Sequence, residues 1–214
     1  MDNMKYKGII FDLDGVICHT DKYHYLAWKH VADKLGIYFD EKINDRLRGI
    51  SRAESFEIVL ENFSGELSEE EKLLHCDEKN TLYRELLVNM TPADLSCEVK
   101  DTLKQLKSRG LKLAIGSSSK NAAFVLNRIG LGEFFHAISD GSIITRPKPD
   151  PEVFLVASQM INEEPTHCLV VEDAVAGVEA ALVAGMDCAA VGDAVKCRLA
   201  TYNLRGFAEL LEVI

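Results

Sequence analysis

Short apolar runs alternate with amphipathic stretches along much of this chain. The apolar runs, typical of strands, occupy residues 7–13, 111–116, 168–172 and 188–191. Between the later runs, apolar residues recur at helical spacing at 121–129, 151–160 and 175–184. An apolar-periodic stretch also precedes each of three glycines, Gly110, Gly130 and Gly185. This alternation predicts an α/β fold, a doubly wound, Rossmann-like and mainly parallel sheet with helices on both faces.

The segment from about residue 20 to 91 has a different pattern. It contains helical periods and no convincing strand, and these periods lie at 21–35, 51–62 and 68–90. Ser68 precedes an acidic first turn, which is typical of a helix start, and Pro92 is placed to return the chain to the sheet. We predict an all-helical domain, 20–91, inserted after the first strand of a core domain formed by 1–19 and 92–214.

Composition limits the classes of function. The chain has 214 residues, of which 47% are hydrophobic and 27% charged, as expected of a soluble globular protein. Its net charge of −10 disfavours nucleic-acid binding but is compatible with a phosphorylated substrate bound beside a cation. No apolar run approaches the length of a membrane span, and the first residues do not resemble a signal peptide. We expect a cytoplasmic protein without a membrane partner.

The six cysteines include no Cys-x-x-Cys pair, and several have apolar neighbours. We interpret them as reduced thiols, which form neither a disulfide framework nor a zinc site.

Two carboxylates, Asp12 and Asp14, follow the first predicted strand, and Gly15 comes next. Alternate side chains of a strand lie on one face, so these acids begin on the same side and repel each other. A Mg²⁺ ion would relieve that repulsion, and a carboxylate beside the ion could accept a phosphoryl group. The alternative is a buried strand followed by an Asx turn, which is the more common meaning of an isolated Asp-x-Asp-Gly.

Polar residues also follow the later strands. Residues 117–121 read Ser-Ser-Ser-Lys-Asn before a helix, where hydroxyl and N–H groups could hold phosphate, although Ser118 or Ser119 could equally be a helix cap. Lys148 lies between two prolines in a stiff loop, and the alternative is an exposed loop lysine. Glu172 and Asp173 form a second acidic pair at a strand end, where one of them could simply cap the next helix.

Together and in this order, these segments resemble the four motifs of the haloacid dehalogenase superfamily. The segments are Asp12-Leu-Asp-Gly, Ser117-Ser-Ser-Lys-Asn, Arg146-Pro-Lys-Pro and Val171-Glu-Asp-Ala-Val-Ala-Gly. Segments of the insert resemble the phosphomutase branch of that superfamily, namely Tyr23-His-Tyr-Leu-Ala-Trp-Lys, Leu47-Arg-Gly-Ile-Ser-Arg and Lys79-Asn. The resemblance extends over nearly the whole chain and implies the superfamily's core fold with a helical cap.

The resemblance implies a role for each matching residue of the core. Asp12 would be the nucleophile, and Asp14 the general acid and base. Magnesium would be held by the Asp12 side chain, the Asp14 carbonyl, Glu172 and Asp173. The substrate's reacting phosphoryl group would be bound by Ser117 and Lys148, with Asn121 and Ser119 close by.

The resemblance also implies roles in the cap. Arg52 would bind the non-reacting phosphate, Lys79 would contact the sugar, and His24 would stabilise the active arrangement. Ser51 and Arg48 would line the same rim. Without the resemblance, the sequence pattern allows a simpler interpretation of both residues. His24 could be a packed surface histidine, and Arg48 could be a solvated arginine.

The implied activity is isomerisation of β-D-glucose 1-phosphate to glucose 6-phosphate, through glucose 1,6-bisphosphate and an aspartyl-phosphate. A sugar-phosphate phosphatase on the same scaffold is the alternative, and a non-catalytic phosphosugar-binding module is a third. We expect a small phosphosugar substrate and a monomer. Residues 18–20, Cys-His-Thr, depart from the usual start of the cap, and the usual Pro-Gly turn is missing near residues 95–98.

Overall fold

A sheet of six parallel strands forms the centre of the structure, a computed structural model that describes residues 5–214. The strands are β1 (Gly8–Phe11), β2 (Lys112–Gly116), β3 (Ala137–Ser139), β4 (Cys168–Glu172), β5 (Asp187–Ala190) and β6 (Tyr202–Asn203). Their order across the sheet is β3-β2-β1-β4-β5-β6, so the chain moves outward from β1 first in one direction and then in the other. This is the doubly wound arrangement that the sequence predicts.

Helices connect the strands of this sheet, and several of them lie in the long segment between β1 and β2. They are α1 (Asp21–Lys34), α2 (Glu41–Asp45), α3 (Arg52–Leu60), α4 (Glu69–Leu87), α5 (Cys97–Ser108), α6 (Ala122–Arg128), α7 (Glu152–Met160), α8 (Val175–Val183) and α9 (Leu210–Val213). Short 3₁₀ turns occupy Pro92–Asp94, Pro165–His167, Gly192–Cys197 and Phe207–Glu209. Along 5–214 we find no helix with the length and apolar character needed to cross a lipid bilayer.

The two faces of the sheet bury different apolar clusters. Ile9 of β1 belongs to a cluster that contains Leu103 of α5 and Val125 of α6. Its neighbour Ile10 belongs to the opposite cluster, with Phe154 of α7 and others from α8. Adjacent residues of a strand point to opposite faces, so helices cover the sheet on both sides.

The segment between β1 and β2 contains only helices as regular elements. Residues of α1, α3 and α4 bury a third apolar cluster, which includes Trp28, Phe56 and Cys76. Tyr23 and Tyr83 of the same segment instead join the cluster on the α5 face of the sheet. The division into domains 20–91 and 1–19 with 92–214 stays a prediction, to which this separate cluster lends support.

The predicted helices have the bounds that their end signals indicate. Ser68 forms a capping box with Glu71 at the start of α4, and Ser51 forms one with Glu54 at the start of α3. Gly110, Gly130 and Gly185 all have positive φ just past α5, α6 and α8. The absent Pro-Gly turn near residue 95 has a replacement, because the Ser96 hydroxyl accepts the Val99 N–H at the start of α5.

Candidate active site

The functional residues predicted from sequence converge because three central strands are parallel and in register. Phe11 at the end of β1 lies beside Ile115 of β2 and Val171 of β4. The next residues in each strand, including Asp12 and Glu172, therefore leave the sheet at the same edge. Ligands of doubly wound sheets bind at this carboxyl edge.

An acidic cluster surrounds Lys148 at this edge. The Lys148 Nζ donates to Asp12 Oδ1 and to Glu172 Oε1, each at 2.5 Å, and the lysine side chain is fully buried. Burial alone would lower the pKa of Lys148, but the charges of Asp12 and Glu172 raise it overall. Lys148 is therefore a buried ammonium, and the alternative of an exposed loop lysine is wrong.

The cluster contains three acidic side chains and one basic side chain. Asp12, Glu172 and Asp173 each offer a carboxylate oxygen, and these oxygens all lie within 4.8 Å of one another. Burial raises the pKa of Asp12 well above its usual range, and the charges of Glu172 and Asp173 add to this rise although Lys148 opposes it. Burial and the Glu172 charge raise the pKa of Asp173 to about 8. Such a site gains from a bound cation, which would let all three acids ionise.

The backbone provides room for that cluster. Gly15 has a φ of +90°, and a Cβ at this position would overlap the Asp173 carboxylate. Glu172 Oε2 accepts the Ala174 N–H at 3.0 Å, while Oε1 is held by Lys148. Glu172 thus orients the lysine as well as contributing to the acidic group. The metal role predicted for the Asp14 carbonyl remains a prediction, and the Asp14 carboxylate is not part of this group.

Asp14 has a different environment. The fully buried Thr20 hydroxyl donates a hydrogen bond to Asp14 Oδ1. Removal from solvent raises the pKa of Asp14, and the Thr20 bond opposes that rise. A carboxyl group whose pKa is raised in this way is suited to exchange a proton with a ligand. The departure at residues 18–20 therefore keeps the hydroxyl that contacts Asp14.

The serine-rich turn after β2 presents backbone and hydroxyl groups to the same edge. Ser117 Oγ accepts the Ser119 N–H at 3.1 Å, and Ser119 Oγ accepts the Asn121 N–H at 3.2 Å. Ser119 thus fulfils a local turn-stabilising role of the kind that the cap interpretation gives it. Ser118 Oγ donates to the carbonyl of Gly49 at 3.1 Å and connects the turn to the helical segment.

A cavity of about 410 Å³ lies between this edge and helices α1–α4. It is lined by every residue predicted for catalysis or substrate binding except Lys148, which reaches Asp12 from outside the lining. The lining residues among those predictions are Asp12, Asp14, His24, Ser51, Arg52, Lys79, Ser117, Ser119 and Asn121. The structure therefore brings the predicted site residues of the core and those of the helical segment together around one cavity.

The helical side of the cavity is lined by the basic side chains of His24, Arg52 and Lys79. Lys79 Nζ lies 3.0 Å from His24 Nδ1 and packs over the Tyr83 ring. Burial, with a smaller contribution from Arg52, lowers the pKa of Lys79 to about 7. Burial also lowers the pKa of His24, followed by the charges of Lys79 and Arg52. Crowded basic groups with lowered pKa values are expected where an anionic ligand binds and restores their charge.

Two further predicted residues also have structural partners. Ser51 Oγ accepts the Glu54 N–H and donates to the Glu54 carboxylate at 2.7 Å, so its hydroxyl is engaged in the capping box. Arg48 lies 3.1 Å from Asp193 in the sheet-bearing part and is also paired with Asp21 and Asp45. Arg48 is therefore not simply solvated but connects the two parts.

Sequence reasoning did not assign roles to several residues at this site. Thr20 and Tyr83 lie close to Asp14, and Asn80 Oδ1 accepts the Asn121 side-chain N–H at 2.9 Å. Asn44 lines the cavity from α2. Buried hydroxyls and amides have no characteristic spacing in sequence, so only the fold identifies them.

Comparison with known proteins identifies the family of this chain. Residues 6–185 match the sequence profile of the haloacid dehalogenase-like hydrolases. The chain belongs to this family. The superfamily predicted from the four motifs is confirmed, and so is the core fold.

Individual haloacid dehalogenase-like relatives include both mutases and phosphatases. The chain is 43% identical over 190 residues to beta-phosphoglucomutase of Bacillus subtilis, covering 87% of this chain and 83% of that protein. It is 31% identical over 185 residues to a phosphorylated carbohydrates phosphatase of Thermotoga maritima, covering 85% and 82%.

A solved structure of the same family is also similar. The crystal structure of beta-phosphoglucomutase from Clostridium difficile superposes with a TM-score of 0.91 at 39% identity, covering 96% of this chain and 93% of that one. Because the superposition covers 96% of this chain, it includes the helical segment as well as the sheet.

Proposed function

We propose that the chain is a β-phosphoglucomutase, which converts β-D-glucose 1-phosphate to glucose 6-phosphate. The observation that carries this proposal is one cavity with Asp12 on the sheet side and Arg52 and Lys79 on the helical side. A phosphatase needs to bind only the phosphate that it removes. A mutase must also hold a bisphosphate by its second phosphate, and the guanidinium of Arg52 is suited to that task.

Asp12 is the proposed phosphoryl carrier. The phosphorylated Asp12 donates its phosphoryl group to the 6-hydroxyl of β-D-glucose 1-phosphate while Asp14 accepts the hydroxyl proton. The resulting 1,6-bisphosphate turns over in the cavity. Asp12 then attacks the phosphorus at C1, the bond from phosphorus to the sugar oxygen breaks, and Asp14 returns its proton to that oxygen. Glucose 6-phosphate leaves, and Asp12 is phosphorylated again.

The other residues neutralise and position the transferring group. Ser117 and Lys148 bind its oxygens, with Asn121 and Ser119 nearby, and the Lys148 charge opposes the negative charge that spreads over them. We assign a Mg²⁺ ion to Asp12, Asp173 and Glu172 with the Asp14 carbonyl, because hard oxygen ligands suit that ion. When bound, it would supply further neutralisation of the phosphoryl oxygens.

The helical segment 20–91 is the proposed cap domain. His24 and Lys79 hydrogen-bond each other across α1 and α4, which fixes Lys79 where a sugar would lie. Ser51 and Arg48 form the rim of this side. A cap that covers the carboxyl edge limits the access of water to the aspartyl-phosphate and so favours transfer over hydrolysis.

A sugar-phosphate phosphatase is the second candidate. It is favoured by the Thermotoga maritima relative and by a 31% identical fructose-1-phosphate phosphatase of Escherichia coli. The catalytic groups of the sheet edge serve both reactions, since each forms an aspartyl-phosphate.

Product analysis distinguishes the candidates. The protein is incubated with Mg²⁺, β-D-glucose 1-phosphate and a trace of glucose 1,6-bisphosphate, and glucose 6-phosphate and inorganic phosphate are both quantified. We expect glucose 6-phosphate as the main product, absent with Asp12→Asn. Inorganic phosphate as the main product would support the phosphatase instead.

A further inference from the structure

Asn44 is a buried amide without a partner in the substrate cavity. It lies in α2, is 7% exposed and lines the cavity. Its Oδ1 has no hydrogen-bond partner anywhere in 5–214. A buried amide oxygen normally finds a partner, because leaving it without one costs stability.

Other asparagines near the cavity or in the same segment have the bonds expected of structural amides. Asn121 Nδ2 donates to Asn80 Oδ1 at 2.9 Å, and Asn89 Nδ2 donates to the Leu86 carbonyl at 3.0 Å. The helix start that precedes Asn44 is already capped, by Asp40 accepting the Ile43 N–H. Neither helix capping nor a side-chain pair explains why a polar residue is buried at position 44.

The chemistry of an amide indicates what it would bind. A carboxamide both donates and accepts hydrogen bonds and carries no charge, so it matches hydroxyl groups. Phosphate has stronger candidates in the same site, since the Arg52 guanidinium and the Lys148 ammonium are charged donors. The part of the ligand left for Asn44 is therefore the sugar ring.

We propose that Asn44 is a specificity-determining residue that hydrogen-bonds a ring hydroxyl of the bound sugar phosphate. The inference rests on the proposed function for the class of ligand. It adds a substrate contact from α2 to those proposed for His24 of α1, Arg52 of α3 and Lys79 of α4. The amide remains unpaired in the free protein and becomes satisfied when the sugar enters.

Opposite effects on stability and binding provide the test. Asn44→Leu keeps a similar shape but removes the polar group. We expect affinity for glucose 6-phosphate, measured by calorimetry with Mg²⁺, to fall about tenfold because a sugar hydroxyl loses its partner. Affinity for inorganic phosphate should stay the same, and the melting temperature of the free protein should rise. The control is Asn89→Leu, an exposed amide outside the cavity, which should change neither affinity.

Unchanged affinity for glucose 6-phosphate in Asn44→Leu would overturn the inference, and so would an equal loss for both ligands. If Asn44→Leu does not fold, the wild type is compared on a series of deoxyglucose 6-phosphates, and Asn44→Ala is measured on the same series. For the analogue that lacks the hydroxyl bound by Asn44, the wild type should bind less tightly than it binds glucose 6-phosphate. Asn44→Ala should bind that same analogue no less tightly than the wild type does. Absence of such an analogue would contradict the inference. Binding is measured without turnover, so a wild type that binds glucose 6-phosphate but makes no product contradicts only the mutase proposal.

Discussion

At the scale of single residues, the cavity has opposite charges at its two ends. Asp12, Glu172 and Asp173 gather on the sheet side, where Lys148 balances part of their charge. The helical side has Arg52 and Lys79 instead. Once a divalent cation joins the acids, both ends attract phosphate, which suits a ligand phosphorylated at two positions.

Asp12→Asn tests the proposed phosphoryl carrier with little change of shape. Mutase turnover should fall on the order of 10⁴-fold or more, because an amide cannot accept the phosphoryl group. Intact-mass spectra of protein incubated with glucose 1,6-bisphosphate should show a phosphoryl adduct for the wild type and none for the variant. Asp101→Asn, an exposed carboxylate on α5, serves as the control. An adduct that persists in Asp12→Asn would place the phosphoryl group on another residue.

Lys79 predicts a specific dependence of stability on pH. Its pKa is lowered to about 7 in the folded protein, whereas an unfolded lysine has a pKa of about 10.4. Between these values the unfolded chain binds the extra proton, so this residue adds stability as pH rises from 8 to 10. The free energy of unfolding of the wild type, relative to Lys79→Met, should therefore increase by about 1 kcal/mol per pH unit.

Urea unfolding of both proteins at several pH values measures this difference. A difference that stays constant from pH 8 to 10 would mean that Lys79 keeps its proton when folded. Titrating groups whose pKa does not depend on Lys79 are present in both proteins and cancel in the comparison.

Residues with chemical motifs could be predicted from sequence, whereas residues defined only by burial could not. Asp12, Lys148 and Glu172 follow strand ends in recognisable segments, and the register of β1 with its neighbours brings them together. Thr20 and Asn44 carry no such signal. A hydroxyl or an amide is common on any surface, and its role depends on which groups the folded chain places around it.

At the scale of elements, strand length decided which parts of the sheet were predictable. Three of the predicted runs contain β1, β2 and β4, and the fourth, 188–191, overlaps β5 at residues 188–190; each of these strands has four or five residues. The strands β3 and β6, with three and two residues, were not predicted. Such segments are too short to show a period, and their pairing with β2 and β5 depends on the neighbouring strand rather than on local preference.

Ser51 and Ser68 form matched capping boxes, and only Ser51 lines the cavity. Ser51→Ala and Ser68→Ala should each lower the free energy of unfolding by about 1 kcal/mol, because each removes an N-cap bond. If Ser51 also contacts substrate, its variant alone should lose kcat/KM, and chemical denaturation with steady-state kinetics measures both quantities. Equal kinetics in the two variants would assign Ser51 a capping role only.

At the scale of the whole molecule, polar contacts join the helical segment to the sheet-bearing part around the cavity. Ser118 Oγ donates to the Gly49 carbonyl, and Asn121 Nδ2 donates to Asn80 Oδ1. Arg48 and Asp193 add an ion pair at the rim. Exposed ion pairs contribute little, so the more buried amide pair is the better point at which to weaken this contact.

Asn80→Ala should increase hydrolysis relative to transfer. Losing the bond to Asn121 weakens the covered state by about 1 kcal/mol, so water should reach the aspartyl-phosphate several times more often. The ratio of inorganic phosphate to glucose 6-phosphate measures this leak. Asn89→Ala, at an exposed position just past the C-terminal end of α4, is the control and should leave the ratio unchanged. A ratio that is the same in both variants would show that this amide pair does not limit the access of water.

The position of β1 has a consequence for the order in which the protein acquires its structure. This central strand is synthesised before its partners, which are residues 112–115 and 168–171. Pairings so distant in sequence form slowly, because long loops must close first. Asp12 therefore leaves the ribosome well before the strands that flank it, and the acids cannot assemble until β4 has been synthesised. A nascent chain that lacks β4 has no competent phosphoryl acceptor site, so activity cannot appear before β4 has been synthesised.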